Sequence, residues 1–277
     1  MRPTPPWYRP VGREVELFEH AHRQKLPLLL AGPTGCGKTR FVEAMAAQLD
    51  LPLITVACHD ETSSIDLVGR FLIKGAETVW QDGPVTRAVR AGAILYLDEI
   101  IEAREDVIVV LHSLTDHRRE LYIDRLDETL SAPEGFMVVA SFNPGYARGF
   151  KELRPSTRQR FVVQRFSYPE AKVETEIVAH EAKLENGPAK RLVEFASKVR
   201  AMDELQLAET ASTRLLVTAG KLISSGVAPR VACNAAVVQP ITDDQAQLEA
   251  LQDLANLMFL WTGISARLLG SIARSGE

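Results

Sequence analysis

Residues 32–39 read Gly32-Pro33-Thr34-Gly35-Cys36-Gly37-Lys38-Thr39, which fills every fixed position of the pattern G-x-x-x-x-G-K-[ST]. The flanks meet the structural condition attached to that pattern. Leu28-Leu29-Leu30-Ala31 before it is a short apolar run of the kind a buried parallel strand needs. Phe41, Val42, Met45 and Leu49 after it recur at helical spacing from Lys38 to about Leu49. Glycines in such a strand-to-helix turn let backbone amides curl round a phosphate with no side chain in the way. The following helix points its positive end at the same anion. Lys38 can reach the β- and γ-phosphates, and the Thr39 hydroxyl can bind Mg²⁺. The plainer alternative, a glycine turn that happens to end in Lys-Thr, leaves both flanks without a reason. Cys36 holds a variable position and reads as a space filler.

The alternation continues downstream. Leu53 to Ala57, Ala93 to Leu97, Gly135 to Ala140 and Phe161 to Val163 read as further strands, with helical spacing between them, as in Glu105 to Leu114. This pattern predicts an α/β fold, a parallel sheet sandwiched by helices. Two segments near 71–80 and 120–131 break the alternation and read as hairpin inserts, the first turning at Lys74-Gly75. After Tyr168-Pro169 strand-like runs largely stop, and helical spacing marks 170–183, 189–201, 213–225 and 246–269. In the last of these, Leu248, Leu251, Leu254, Met258, Trp261, Ile264 and Leu268 form one stripe. The expected organisation is a nucleotide-binding domain over 1–168 and a small all-α lid over 169–277.

Composition narrows the class. Of 277 residues, 46% are hydrophobic and 25% charged, enough for a core without disulfide or metal staples. The net charge of −4 argues against coating nucleic acid by bulk charge. No run approaches the roughly 18 apolar residues of a membrane helix, so neither a nucleic acid nor a membrane is expected as partner. The cysteines Cys36, Cys58 and Cys233 match no disulfide or zinc spacing, which suits a reducing cytoplasm. The six histidines form no metal-binding pattern.

Ile94-Leu95-Tyr96-Leu97-Asp98-Glu99 is an apolar strand ending in two acids. Acids at that end project into the crevice where ligands bind in open α/β sheets. Asp98 suits the water shell of Mg²⁺, and Glu99 suits a general base that polarises the attacking water. Without the phosphate loop, a solvated helix start would explain them better. Ser141-Phe142-Asn143-Pro144 ends the next strand, where Asn143 can orient the lytic water or simply form an Asn-Pro turn. Arg154, Arg158 and Arg160 cluster before the last strand. They read either as surface charge or as the source of an arginine finger for a neighbouring subunit. Arg214, in Ala211-Ser212-Thr213-Arg214, reads either as surface charge or as a cation closing over the phosphates.

Taken in order, these features resemble the AAA+ ATPases. Val11-Gly12-Arg13-Glu14, Gly83-Pro84, Ser141-Phe142-Asn143-Pro144-Gly145-Tyr146 and Pro155-Ser156-Thr157-Arg158-Gln159-Arg160-Phe161 are similar to the CbbQ/NirQ/NorQ group of MoxR proteins. The resemblance covers nearly the whole chain. It implies a P-loop NTPase fold and a homo-oligomeric ring, usually a hexamer, with ATP and Mg²⁺ bound between subunits. It assigns Arg160 as the arginine finger, Arg158 as a second one, Asn143 as the sensor-one residue and Arg214 as the sensor-two residue. The hairpin at Lys74-Gly75 then resembles the helix-two insert at the ring's pore, and 120–131 the hairpin before sensor one. Lys74-Gly75-Ala76 departs from the aromatic-hydrophobic-glycine loop of threading unfoldases, which favours local remodelling. The group works with a von Willebrand factor A partner on a client enzyme. Rubisco freed of inhibitory sugar phosphates is the leading client, and nitric-oxide or nitrite reductase the alternative. A cytoplasmic location, carboxysome-associated forms included, goes with that reading. A nucleotide-gated scaffold and a DNA-acting loader are the competing classes.

Overall fold

The computed structural model describes residues 5–144 and 153–259. It divides into two compact units that meet at Ser167 and Tyr168. The first unit runs α1 (Glu14–Arg23), β1 (Leu28–Ala31), α2 (Lys38–Gln48), β2 (Leu53–Ala57), α3 (Ser64–Val68), β3 (Gly69–Lys74), β4 (Glu77–Asp82) and α4 (Pro84–Ala91). It continues with β5 (Ile94–Asp98), α5 (Glu105–Leu114), β6 (Glu120–Ile123), β7 (Glu128–Ser131), β8 (Met137–Phe142), α6 (Pro155–Arg158) and β9 (Val162–Arg165). Five strands form one sheet in the order β2-β5-β8-β1-β9, and every pairing in it is parallel. The fold is therefore the expected sandwich of helices on a parallel sheet.

Alternation within the strands explains the two covered faces. Leu29, Leu95, Leu97, Val138 and Ala140 pack with Val85, Ala88 and Val89 of α4 and Val107 and Leu111 of α5. Leu28, Leu30, Ile94, Tyr96, Met137 and Val139 pack on the other face with Phe18 of α1 and Phe41, Val42 and Met45 of α2. Phe41 sits edge-on to Phe18, with ring centroids 5.5 Å apart, and touches Tyr8 and Phe166 at 5.3 Å each.

Some details differ from the sequence reading. The third, fourth and fifth core strands start one or two residues later than predicted, at Ile94, Met137 and Val162, and run further into polar residues. The reason is the ladder, which pairs Asp98 with Ala57 and Arg165 with Ala31 whatever their polarity. The first hairpin pairs Lys74 with Glu77, so its two-residue turn is Gly75-Ala76, one residue beyond the predicted position, with Gly75 at φ +65°. Helices α1 and α4 went unpredicted, although Gly83-Pro84 is a start signal of the kind α4 uses.

The second unit holds α7 (Ala171–Ala182), α8 (Asn186–Arg200), α9 (Thr213–Ser224), α10 (Pro229–Cys233), a π-helical turn over Asn234–Val238, and α11 (Gln245–Phe259). Leu192, Phe195, Leu216, Val237 and Leu251 lie in its core. Glu174 is buried there with its charge matched. Arg200 donates to both its oxygens at 2.7 and 2.8 Å, and Thr213 Oγ1 donates at 2.6 Å. Trp261, Ile264 and Leu268 of the predicted last stripe lie outside the described residues. Among the described residues no helix is long and apolar enough to cross a membrane.

Candidate functional site

The phosphate loop leaves β1 at Gly32 and enters α2 at Lys38. Two of its glycines are required by the backbone, since Gly35 has φ +70° and Gly37, which caps α2, has φ +103°. Gly32 is required by space, because a Cβ there would lie 2.6 Å from the Phe166 carbonyl oxygen. Lys38 is buried, and its ammonium donates to the carbonyls of Gly32 at 2.7 Å and Pro33 at 3.0 Å. A buried cation whose partners are neutral carbonyls keeps its full charge available to an anion in the loop.

Beside it, β5 delivers Asp98 and Glu99. Thr39 Oγ1 lies 3.4 Å from Asp98 Oδ2 and 3.3 Å from the Tyr96 hydroxyl. Tyr96 donates to Asp98 Oδ1 at 2.8 Å, and Ser141 Oγ donates to the same oxygen at 2.5 Å. Ser141 also accepts the Glu99 amide proton at 3.2 Å. Glu99 itself stands in the left-handed region at φ +54°, an uncommon place for a residue with a side chain. Burial pushes its carboxyl above the ordinary range, and Asp98 and Glu102 push the same way. The Lys38 charge and the Asn143 backbone amide act against that rise.

Asn143 follows β8 directly and is 5% exposed. Its amide nitrogen donates to Thr34 Oγ1 at 2.8 Å, which joins the end of β8 to the phosphate loop. Pro33 and Cys36 lie in that loop, Cys36 with its side chain buried. Gly145 and Tyr146 lie outside the described residues. Cys58, just past β2, is a buried thiol pushed up to about 12 by burial and by the nearby Asp98 and Glu99 carboxylates.

The arginines of the first unit are engaged elsewhere on its surface or exposed. Arg160 is half-buried and turned onto its own chain, donating to the His112 carbonyl at 3.3 Å and to Asp116 at 3.4 Å. Arg158 is exposed at the end of α6 and has no ion-pair partner among the described residues. Arg154 pairs on the surface with Glu105 at 2.7 Å. Arg214 is exposed in the first turn of α9, behind the Ser212 cap.

The site thus brings Thr34, Lys38, Thr39, Asp98, Glu99 and Asn143 together at the C-terminal ends of β1, β5 and β8. Sequence reading missed Tyr96 and Ser141. Tyr96 precedes Asp98 by two residues on β5 and so shares its face, and Ser141 stands two residues before Asn143 near the end of β8.

The donor set fits a magnesium nucleotide. The curled glycine loop and Lys38 suit the phosphates, and the Thr39 hydroxyl and Asp98 carboxylate offer hard oxygens to the cation. Residues 27–161 match the AAA domain (dynein-related subfamily), and residues 174–258 match the CbbQ/NirQ/NorQ C-terminal family. Solved RuvB mutants of Thermotoga maritima share the fold. One has a TM-score of 0.55 at 16% identity and covers 95% of this chain and 75% of its own. Fold, site and family match define an AAA+ ATPase. Among curated proteins, the denitrification regulatory protein NirQ of Pseudomonas aeruginosa is 52% identical over 93% of this chain and 99% of its own. NorQ of Paracoccus denitrificans is 55% identical over 92% of this chain and 94% of its own. CbbQ of Hydrogenophilus thermoluteolus is 52% identical over 92% and 95%. The chain belongs to the CbbQ/NirQ/NorQ family.

Proposed function

We propose that this chain is the subunit of an ATP-hydrolysing ring, hexameric and cytoplasmic, that remodels and activates a client enzyme through a von Willebrand factor A adaptor. The observation that supports it most is the convergence of Lys38, Thr39, Asp98, Glu99 and Asn143 at the ends of adjacent strands.

Chemistry, geometry and the family resemblance support the following roles. Amides of residues 32–39 and the Lys38 ammonium hold the triphosphate. Thr39 and Asp98 would hold Mg²⁺, Asp98 through water, and the cation would supply neutralisation of the charge that develops on the transferring phosphoryl group. Glu99 takes a proton from the attacking water, and its raised pKa makes it a better acceptor than an ordinary carboxylate. Asn143 orients that water, and its bond to Thr34 ties the end of β8 to the loop. Arg160, with Arg158 beside it, acts on the nucleotide of the neighbouring subunit, and Arg214 closes over the phosphates from the helical unit. For Arg160 this requires release from Asp116, whereas Arg158 has no such partner among the described residues.

Rubisco, relieved of tightly bound sugar phosphates, is the client in the first reading. A second reading, maturation of a nitric-oxide or nitrite reductase, is favoured by relatives named NirQ and NorQ at 52% and 55% identity. The test mixes the chain and its adaptor with each inhibited or immature client in turn. ATP-dependent recovery of carboxylation supports the first reading, and recovery of reductase activity the second. Lys38→Ala should abolish either. Recovery that survives Glu99→Gln would overturn the motor in favour of a nucleotide-gated scaffold.

A further inference from the structure

The Asp98 carboxylate does not face its neighbours symmetrically. Oδ1 receives two hydroxyl protons, from Tyr96 at 2.8 Å and from Ser141 at 2.5 Å. Oδ2 faces Thr39 Oγ1 at 3.4 Å. Both donors are fully buried, Tyr96 from the middle of β5 and Ser141 from β8. The assignment of protons follows from their number. Ser141 has one, given to Asp98, so its lone pair is free for the Glu99 amide at 3.2 Å. Tyr96 has one, also given to Asp98, so the Thr39 proton can go to the tyrosine oxygen or to Oδ2. The Thr39 lone pairs are left for a cation.

We infer that Tyr96 and Ser141 are positioning residues that clamp one oxygen of Asp98, hold the other toward Thr39, and so set the affinity for the divalent cation of the bound nucleotide. The inference rests on the reading of Thr39 and Asp98 as the cation side of the site. Its physical basis is preorganisation. A carboxylate that accepts two buried hydroxyls cannot rotate about its Cβ–Cγ bond without leaving both donors unsatisfied. Ser141 acts twice, because its hydroxyl also receives the amide of Glu99, which stands at φ +54°. One small side chain on β8 therefore holds the carboxylate of one acid and the backbone of the other, and Asn143 directly after that strand bonds the phosphate loop.

Tyr96→Phe, Ser141→Ala, Ser141→Thr and the double variant Tyr96→Phe/Ser141→Ala are tested as full chains. Mn²⁺ uptake in the presence of ADP is followed through the loss of the free-ion paramagnetic resonance signal. Affinity for a fluorescent ATP analogue is measured separately in EDTA. Each hydroxyl deletion should weaken Mn²⁺ binding about tenfold or more. Binding of the analogue without metal should change less than twofold. The double variant should lose less than the product of the single losses, because both hydroxyls act on one oxygen. Ser141→Thr should keep the wild-type value. The inference is overturned if Mn²⁺ affinity in the deletion variants equals the wild type, if metal-free binding falls in parallel with it, or if Ser141→Thr behaves as Ser141→Ala. If the unmutated chain binds nucleotide with no help from the metal, the reading of the site itself fails, and this shows before any variant is made.

Discussion

At the scale of single residues, Glu99 carries the sharpest consequence. Its carboxyl is held above the ordinary range chiefly by burial. A folded-state pKa above the unfolded one means that the native chain binds this proton more tightly. The group therefore lowers stability as pH rises from the unfolded value through the raised one. For catalysis the sign is opposite, since only the deprotonated form accepts a proton from water. ATP turnover should fall, on acidification, at a pH above that expected for an ordinary carboxylate, as a pH profile of kcat would show. Glu99→Gln should abolish turnover while raising the relative stability of the chain at neutral pH, read from urea midpoints with an unchanged slope. The local strings around Lys38, Asp98 and Asn143 were legible in sequence because each has its own chemistry. The Asp98 clamp was not, because its donors are a tyrosine inside an apolar run and a serine 43 positions away, joined only by the pairing of β5 with β8.

At the scale of elements, close approach replaces volume in places that composition does not mark. Gly220 of α9 faces α7, and a Cβ at that position would stand 2.7 Å from the Ala182 Cβ. Both atoms belong to packed helices, so neither yields cheaply. Gly220→Val should cost roughly 1–3 kcal/mol by overpacking, outweighing the small gain from removing a helical glycine. Urea unfolding monitored by circular dichroism checks it, and equal stability would mean that α7 and α9 can slide apart. Strongly periodic elements such as α2, α5 and α9 were legible because one stripe of each is apolar. Helix α1 and the α10–π segment were not. In α1, Glu14 is 4% exposed and accepts from Tyr8 and from the amides of Val11 and Gly12, so a charged residue occupies a place that a periodicity count gives to the surface.

At the scale of the whole molecule, the proposed ring would place the finger and the base that serve one nucleotide on different subunits. Arg160→Ala should bind nucleotide and fail to hydrolyse it, and so should Glu99→Gln. Rings mixed from the two should regain part of the wild-type rate, because some interfaces then combine an intact Arg160 with an intact Glu99. No recovery in the mixture would mean that Arg160 serves its own chain, through Asp116 and the His112 carbonyl. The sheet order has a further consequence, for synthesis. Strand β1 lies between β8 and β9, whose partners for Leu28–Ala31 arrive only at Val139–Phe142 and Val162–Arg165. On a ribosome adding about 5–20 residues per second, four apolar residues wait on the order of ten seconds for both neighbours. During that interval a nascent chain of this family offers a bare, sticky edge, so its yield in a cell should follow the supply of holdase chaperones more closely than the strength of its promoter.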